Sequence, residues 1–303
     1  MKDRSKLTTE KRNPRTRDID RRSILEIVDL INAEDAQVAS AVRRERKRVA
    51  RAVELVAASF RRGGRLFYVG AGTSGRLGVL DASECPPTFG VSPSMVQGLI
   101  AGGRRALVRS SEGAEDHGEA GAAAVDKKRV GPWDTVVGIA ACGLTPYVRG
   151  ALARARRLGA STVFIVCAPE AARAVRADVV IRPVVGPEVV TGSTRMKAGT
   201  ATKLILNTLT TAAMIRIGKV FGNLMVDLRA RSVKLRDRAE RIVRTLTGVS
   251  RLRARRLLKA ARGEAKTAVV MHARGVGFRE ARDILKRCGG VLRKAMKGSV
   301  PNW

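Results

Sequence analysis

The run Gly70-Ala71-Gly72-Thr73-Ser74-Gly75 gathers three glycines and two hydroxyls at one point of the chain. Glycines let backbone N–H groups crowd around an anion, and a helix opening there adds a favourable dipole. Thr73 and Ser74 are natural donors to a phosphate oxygen. A dinucleotide site would need an acidic residue about 20 positions on, at the end of the next strand. Here the run Met95–Ile100 ends in Ala101-Gly102-Gly103, with no acid. A P-loop would need a lysine after the glycines, and none follows. The loop suits a compact sugar phosphate. A tight strand-to-helix turn capped by a hydroxyl is the plain structural alternative.

A second loop, Gly143-Leu144-Thr145-Pro146, follows another apolar run and opens another helical pattern. In a parallel sheet it falls on the same carboxyl edge, where such folds bind ligands. Read structurally, it is a helix start with proline at the first position. Two acids lie in segments that follow edge loops. Glu84 sits in Asp81-Ala82-Ser83-Glu84-Cys85-Pro86-Pro87, where the prolines are expected to stop a helix just beyond the carboxylate. Glu115 sits in Glu112-Gly113-Ala114-Glu115-Asp116, at an expected helix start. Paired carboxylates can act as acid and base, and acids at helix starts also simply complement the dipole. The four cysteines, Cys85, Cys142, Cys167 and Cys288, are scattered singly, and His117 and His272 lie far apart. Structural zinc needs clustered ligands, so no metal site is expected, and reduced thiols fit an intracellular chain.

These residues need a scaffold. Short apolar runs recur at Arg65–Gly70, Met95–Ile100, Thr135–Ala140, Thr162–Cys167 and Asp178–Val185. Helical patterns lie between them, near Gly75–Ala82, Ala114–Lys128, Tyr147–Leu158 and Glu170–Arg176. That alternation predicts an α/β fold with a parallel sheet flanked by helices on both faces. Residues 1–20 are polar and basic and are expected to form an extended arm. Ile24–Ile31 and a long amphipathic helix from Ala36 to Arg61 follow, closed by Gly63-Gly64. Thr194–Ile217 predicts a long apolar helix, buried within or between subunits. Val226–Leu246, Ser250–Ala261, Glu264–Ala273 and Phe278–Cys288 predict a small C-terminal all-helical domain. The expected division is 1–55 for the arm and first helices and 56–220 for the sugar-phosphate domain. Residues 221–303 form the C-terminal helical region, its small domain starting near 240.

With 303 residues and 45% hydrophobic content, the chain can bury a large core, built with only 3% aromatics. It has no apolar run of about 18 residues and no signal-peptide core near Met1, so a cytoplasmic location is expected. The net charge of +32 admits non-specific polyanion binding. The basic clusters, such as Arg43-Arg44-Glu45-Arg46-Lys47-Arg48, are interleaved with apolar residues at helical spacing, as solvated helix faces are, and aromatics for base stacking are scarce.

Several stretches, taken in order, resemble the N-acetylmuramic acid 6-phosphate etherase family. They are Leu7–Pro14, Gly70–Leu80 running into Asp81–Gly90 (DASECPPTFG), Glu112–Asp116, Val184–Thr200 (VVGPEVVTGSTRMKAGT) and Gly218–Asp227. The resemblance covers nearly the whole chain. It implies a sugar isomerase (SIS) fold, a homodimer, and cleavage of the lactyl ether without metal or organic cofactor. It implies Glu84 as general acid and Glu115 as the second acid–base residue. It also implies substrate and phosphate binding by Thr73, Ser74, Cys142, Thr145, Glu188, Ser193 and Lys197. One place departs from the family: Cys142-Gly143-Leu144-Thr145-Pro146-Tyr147 stands where Ser-Gly-Arg-Thr-Pro-Tyr is expected, replacing a hydroxyl by a weak thiol donor and removing a cation. The rival reading is a non-catalytic sugar-phosphate sensor of the same fold, like the glucokinase regulatory protein. Such a sensor needs neither Glu84 nor Glu115.

Overall fold

The computed structural model describes residues 4–173, 175–228 and 233–296. Five short strands form one wholly parallel sheet: β1 Leu66–Gly70, β2 Val96–Ile100, β3 Thr135–Ile139, β4 Ser161–Ile165 and β5 Val179–Ile181. Their order across the sheet is β2-β1-β3-β4-β5, with Leu66 level with both Val96 and Thr135. Every residue of β1 and β3 is buried, because helices cover both faces.

The helices of this part are α1 Ile24–Asp35, α2 Val38–Arg44, α3 Arg46–Arg61, α4 Gly72–Phe89, α5 Gly118–Lys127, α6 Pro146–Arg157 and α7 Lys197–Arg216. Strand parity assigns them to faces. A Cβ on Gly138 of β3 would lie 2.5 Å from Leu152 of α6, so even-numbered positions of β3 look toward α6. Thr135, of opposite parity, shares a 2.7 Å hydroxyl contact with Ser59 of α3. Gly78 of α4 lies against Tyr68, whose neighbours in β1, Phe67 and Val69, pack in the core on the α6 side. Thus α5 and α6 lie on one face, and α3 and α4 on the other.

The chain divides into two compact units, residues 1–83 with 93–210 and residues 84–92 with 211–303. The second unit holds α8 Val233–Thr247, α9 Arg251–Ala260, α10 Ala265–Arg274, α11 Phe278–Arg287 and the short α12 Leu292–Ala295, which the sequence pattern does not predict. Their apolar stripes meet in a core containing Val243, Ala254, Val269, Ala281 and Leu285. Lys266 is buried in this unit and donates to the carbonyls of Gly218 (2.9 Å) and Gly290 (2.8 Å) and to Asp227 (2.7 Å). Burial holds its ammonium below the usual lysine range, against the charge of Asp227.

Four local expectations need correction. Pro86 and Pro87 do not stop α4, which runs on to Phe89. Proline's fixed φ is itself helical, so the chain continues two residues beyond Pro87, at the cost of two N–H donors and of crowding the carbonyls four residues back. The long helix expected over Ala36–Arg61 breaks at Glu45, whose buried carboxylate accepts from the Arg182 N–H at 3.0 Å. The N-terminal arm is not extended. It forms three short 3-10 turns, at Thr8–Glu10, Pro14–Thr16 and Ile19–Arg21, tied down by Thr8 to Glu170, Asn13 to the Pro187 carbonyl and Thr16 to the Val189 carbonyl. Those anchors are side chain to distant backbone or carboxylate, so they leave no apolar period to read. The pattern at Glu170–Arg176 yields only a turn, Pro169–Ala171, and Ala174 lies outside the described residues. The start of the helix expected over Val226–Leu246 falls partly on residues 229–232, also outside them.

Candidate functional site

In the sheet order β2-β1-β3-β4-β5, the chain leaves β1 and β3 in opposite directions, and ligands of such folds bind at the carboxyl ends of those two strands. The two loops singled out in the sequence are the ones found there. After β1 a single residue, Ala71, separates the strand from α4. This tight join depends on glycine at both ends. A Cβ on Gly70 would lie 2.6 Å from the Gly75 nitrogen, and one on Gly75 would lie 2.6 Å from Ile100. The first turn of α4 can therefore press onto the strand end. The leading amides of a helix lack intrahelical partners, and together with the half-buried Thr73 and Ser74 they make an anion-binding corner.

On the β3 side, Thr145 is buried at the start of α6, just before Pro146. Cys142 and Leu144 are partly buried and pack against the core under α6. Next to them Cys167 is 1% exposed, and its thiol is pushed up to about 12, by burial first and then by the charges of Glu188 and Cys142.

The segment from Val184 to Thr200 reaches the same edge. A Cβ on Gly199 would stand 3.6 Å from Thr73 Cγ2, which puts the first turn of α7 beside the β1 loop. Glu188 is fully buried and caps that turn, accepting from the N–H groups of Lys197 (3.0 Å) and Ala198 (2.9 Å). Burial raises its carboxyl above the usual range, while these two amides draw it back. The Lys197 ammonium, 1% exposed, pairs with Glu34 of α1, whose other oxygen takes Arg15 at 2.5 Å. Ser193 is half-buried in the turn between Val190 and Met196. The polar atoms of Glu188 and Lys197 are thus engaged within the chain.

Glu115 lies in a 3-10 turn, Ala114–Asp116, that starts after Gly113 in the left-handed conformation (φ +76°). It lines a cavity of about 270 Å³ together with Ala71, Gly72 and Arg76 from the start of α4, and Ala106 and Ser111 beyond β2. Of the sequence-derived site residues, Glu115 is the one in this cavity. Glu84 is exposed near the end of α4. Asp81, one turn earlier, is 6% exposed and accepts from Tyr68 (2.9 Å), Asn207 (2.9 Å) and Thr210 (3.2 Å). Burial raises its carboxyl, and those three donors and the charge of Lys203 pull it back.

Sequence reasoning passed over Arg76, Asp81 and Glu34. Arg76 sits inside the quoted motif Gly70–Leu80, where nothing local marks it among the many basic residues. Asp81 and Glu34 lie on helices where acids are common, and only their burial distinguishes them. Among the described residues, no cluster of three His, Cys, Asp or Glu side chains could hold a metal ion, and no helix is long and apolar enough to cross a membrane.

Comparison with known proteins identifies the chain's relatives. A family model, the glucokinase regulatory protein N-terminal SIS domain, matches residues 48–156. The chain is 50% identical over 296 residues to the N-acetylmuramic acid 6-phosphate etherase of Synechocystis sp., covering 98% of this chain and 97% of that one. It is 53% identical to N-acetylmuramic acid 6-phosphate etherase 2 of Vibrio cholerae over 97% and 95% of the two chains. With the enzyme of that name from Symbiobacterium thermophilum the identity is 57%, over 90% of each chain.

Proposed function

The chain belongs to the family of N-acetylmuramic acid 6-phosphate etherases, and we propose that it is an enzyme cleaving the lactyl ether of that sugar phosphate. The products are N-acetylglucosamine 6-phosphate and D-lactate. The observation that carries this activity at the level of the site is Glu115 sharing one cavity with the opening turn of α4. A carboxylate in a cavity bordered by that turn, with Thr73 and Ser74 next along the helix but not in the cavity lining, is what proton abstraction from a phosphorylated sugar requires.

In the open-chain sugar the C2 proton lies α to an aldehyde, and Glu115 removes it. The C2–C3 double bond forms as the C3–O bond breaks, and the departing lactate oxygen takes a proton, a role the family resemblance gives to Glu84, which α4 carries about 18 Å along from its opening turn. Water then adds across the double bond, returning hydrogen to C2 and hydroxyl to C3. Each positioned proton transfer contributes typically ~10²–10⁴-fold. The start of α4, with Thr73 and Ser74, holds the phosphate, Cys142, Thr145 and Ser193 complete the binding set, and Glu188 and Lys197, engaged within the chain, hold the first turn of α7 beside it. Binding remote from the reacting carbons lowers the barrier by fixing their geometry.

The match to the regulatory-protein SIS model favours a second reading, a sensor that binds without chemistry. That match covers 109 residues, whereas the etherase relatives align along nearly the whole chain, and both Glu84 and Glu115 are present. A homodimer is part of the proposal. It is supported by α1, where Ile24 is 83% and Leu25 70% exposed. The charge of +32 supports a weak, salt-sensitive attraction for polyanions.

The test is release of D-lactate from N-acetylmuramic acid 6-phosphate by the purified protein. Glu84→Ala should lose lactate release by several orders of magnitude and still bind substrate. Glu115→Gln should stop exchange of the C2 hydrogen with heavy water. Normal turnover of the first variant, or deuterium at C2 in the second, would remove that residue from the mechanism.

A further inference from the structure

Arg76 stands in the cavity of Glu115 with most of its hydrogen-bonding capacity unused. Its Nε donates to the Leu107 carbonyl at 3.1 Å, which fixes the guanidinium against the chain beyond β2. Among the described residues this is its one hydrogen bond, and it makes no ion pair, although Glu112 and Glu115 line the same cavity. It is, among the described residues, the cavity's one cationic lining residue, and the walls are small: Ala71, Ala101 and Ala106, with Ser110 and Ser111. A half-buried arginine that lines a cavity, with its Nε pinned and its two terminal nitrogens making no hydrogen bond among the described residues, is arranged to take a planar oxyanion in bidentate fashion.

We propose that Arg76 is the receptor for the lactyl carboxylate of the substrate. The proposal rests on the etherase reading above. The substrate carries two anions, a phosphate on C6 and a carboxylate on the lactyl group at C3. Glu115 takes the proton of C2, so the part of the sugar beside it is the C2–C3 end, and the lactyl group is attached there. The phosphate has its own donors, Thr73, Ser74 and the opening amides of α4. A dianionic phosphate would also lie poorly beside Glu112 and Glu115, whereas a monoanionic carboxylate is less repelled and needs one cation. By gripping the carboxylate, Arg76 turns the C3–O bond into the geometry needed for elimination, and it selects sugars that carry the lactyl arm.

Two sugar phosphates separate the carboxylate from the phosphate. N-acetylmuramic acid 6-phosphate has both anions, and N-acetylglucosamine 6-phosphate has the phosphate alone. Arg76→Gln should lower kcat/KM for the first on the order of 10–100-fold, the size of one charge-assisted bond. Inhibition by the second should stay within about twofold. Arg76→Lys, which keeps the charge and loses the fork, should fall between. If the affinity for N-acetylglucosamine 6-phosphate drops in parallel, Arg76 is a phosphate ligand and the proposal is overturned. Unchanged kcat/KM in Arg76→Gln overturns it too. Should the unaltered protein release no lactate, the etherase reading fails separately. Calorimetric binding of the two sugar phosphates then decides on Arg76: selective weakening of the lactyl-bearing sugar supports the receptor role, and equal weakening or none refutes it.

Discussion

Replacing Lys197 with Met should destabilise the protein by about 2–4 kcal/mol. Lys197 and Glu34 are 1% and 2% exposed, so removing the ammonium leaves a carboxylate deep in the first unit with its strongest partner gone. Breaking a buried pair from one side typically costs about 3–5 kcal/mol. Arg15 remains on Glu34 at 2.5 Å, but its side chain is 57% exposed, and a screened pair of that kind offsets about 1 kcal/mol at most. Urea unfolding reads the loss as a lower midpoint at unchanged slope. Lys197→Met combined with Glu34→Leu removes both charges, and apolar replacement of a whole pair is often neutral, so the double variant should be more stable than the single one. Added salt should weaken the single variant further by screening Arg15. A single variant within about 1 kcal/mol of the parent, or a double variant worse than the single, would refute the reasoning. A variant that kept its stability and lost substrate affinity would instead put the ammonium on the sugar phosphate.

Asp81 should make stability depend on pH. Its carboxyl is raised by burial, so its contribution is complete below the unfolded carboxylate value of about 4 and is lost as pH rises through the raised folded value. The parent protein should therefore gain on Asp81→Asn as pH falls from about 7 to about 4, and an equal difference in urea unfolding at both would contradict this. Cys142→Ser should lower the Michaelis constant several-fold with turnover nearly unchanged, because phosphate is held alike in ground and transition states. Steady-state kinetics at two salt concentrations checks it, and an unchanged constant at both would take Cys142 out of the phosphate site. Light scattering at micromolar concentration should find a dimer; monomer alone would leave the exposed apolar face of α1 unexplained.

What the sequence determined by itself was the order of elements and the loops between them. Five apolar runs became five parallel strands because a strand buried on both faces must be apolar along its length, and that is visible without coordinates. Gly70–Gly75 was legible because a strand end that turns at once into a helix leaves no room for side chains at Gly70 and Gly75. Glu84 and Glu115 stood out through the motifs around them, and their spacing alone would not have separated them from ordinary helix-end acids. Only the tertiary structure decided which polar residues are buried and what meets them. Lys197 and Glu34 are 163 positions apart, Asn207 and Asp81 126, and Arg182 and Glu45 137. Hydrogen bonds over such separations follow no local period, so the break at Glu45 and the tethered N-terminal arm could not be read from the chain. The same holds for Arg76. In sequence it is one of 59 basic residues, and it is singled out only by the Leu107 carbonyl that orients it and the cavity it shares with Glu115.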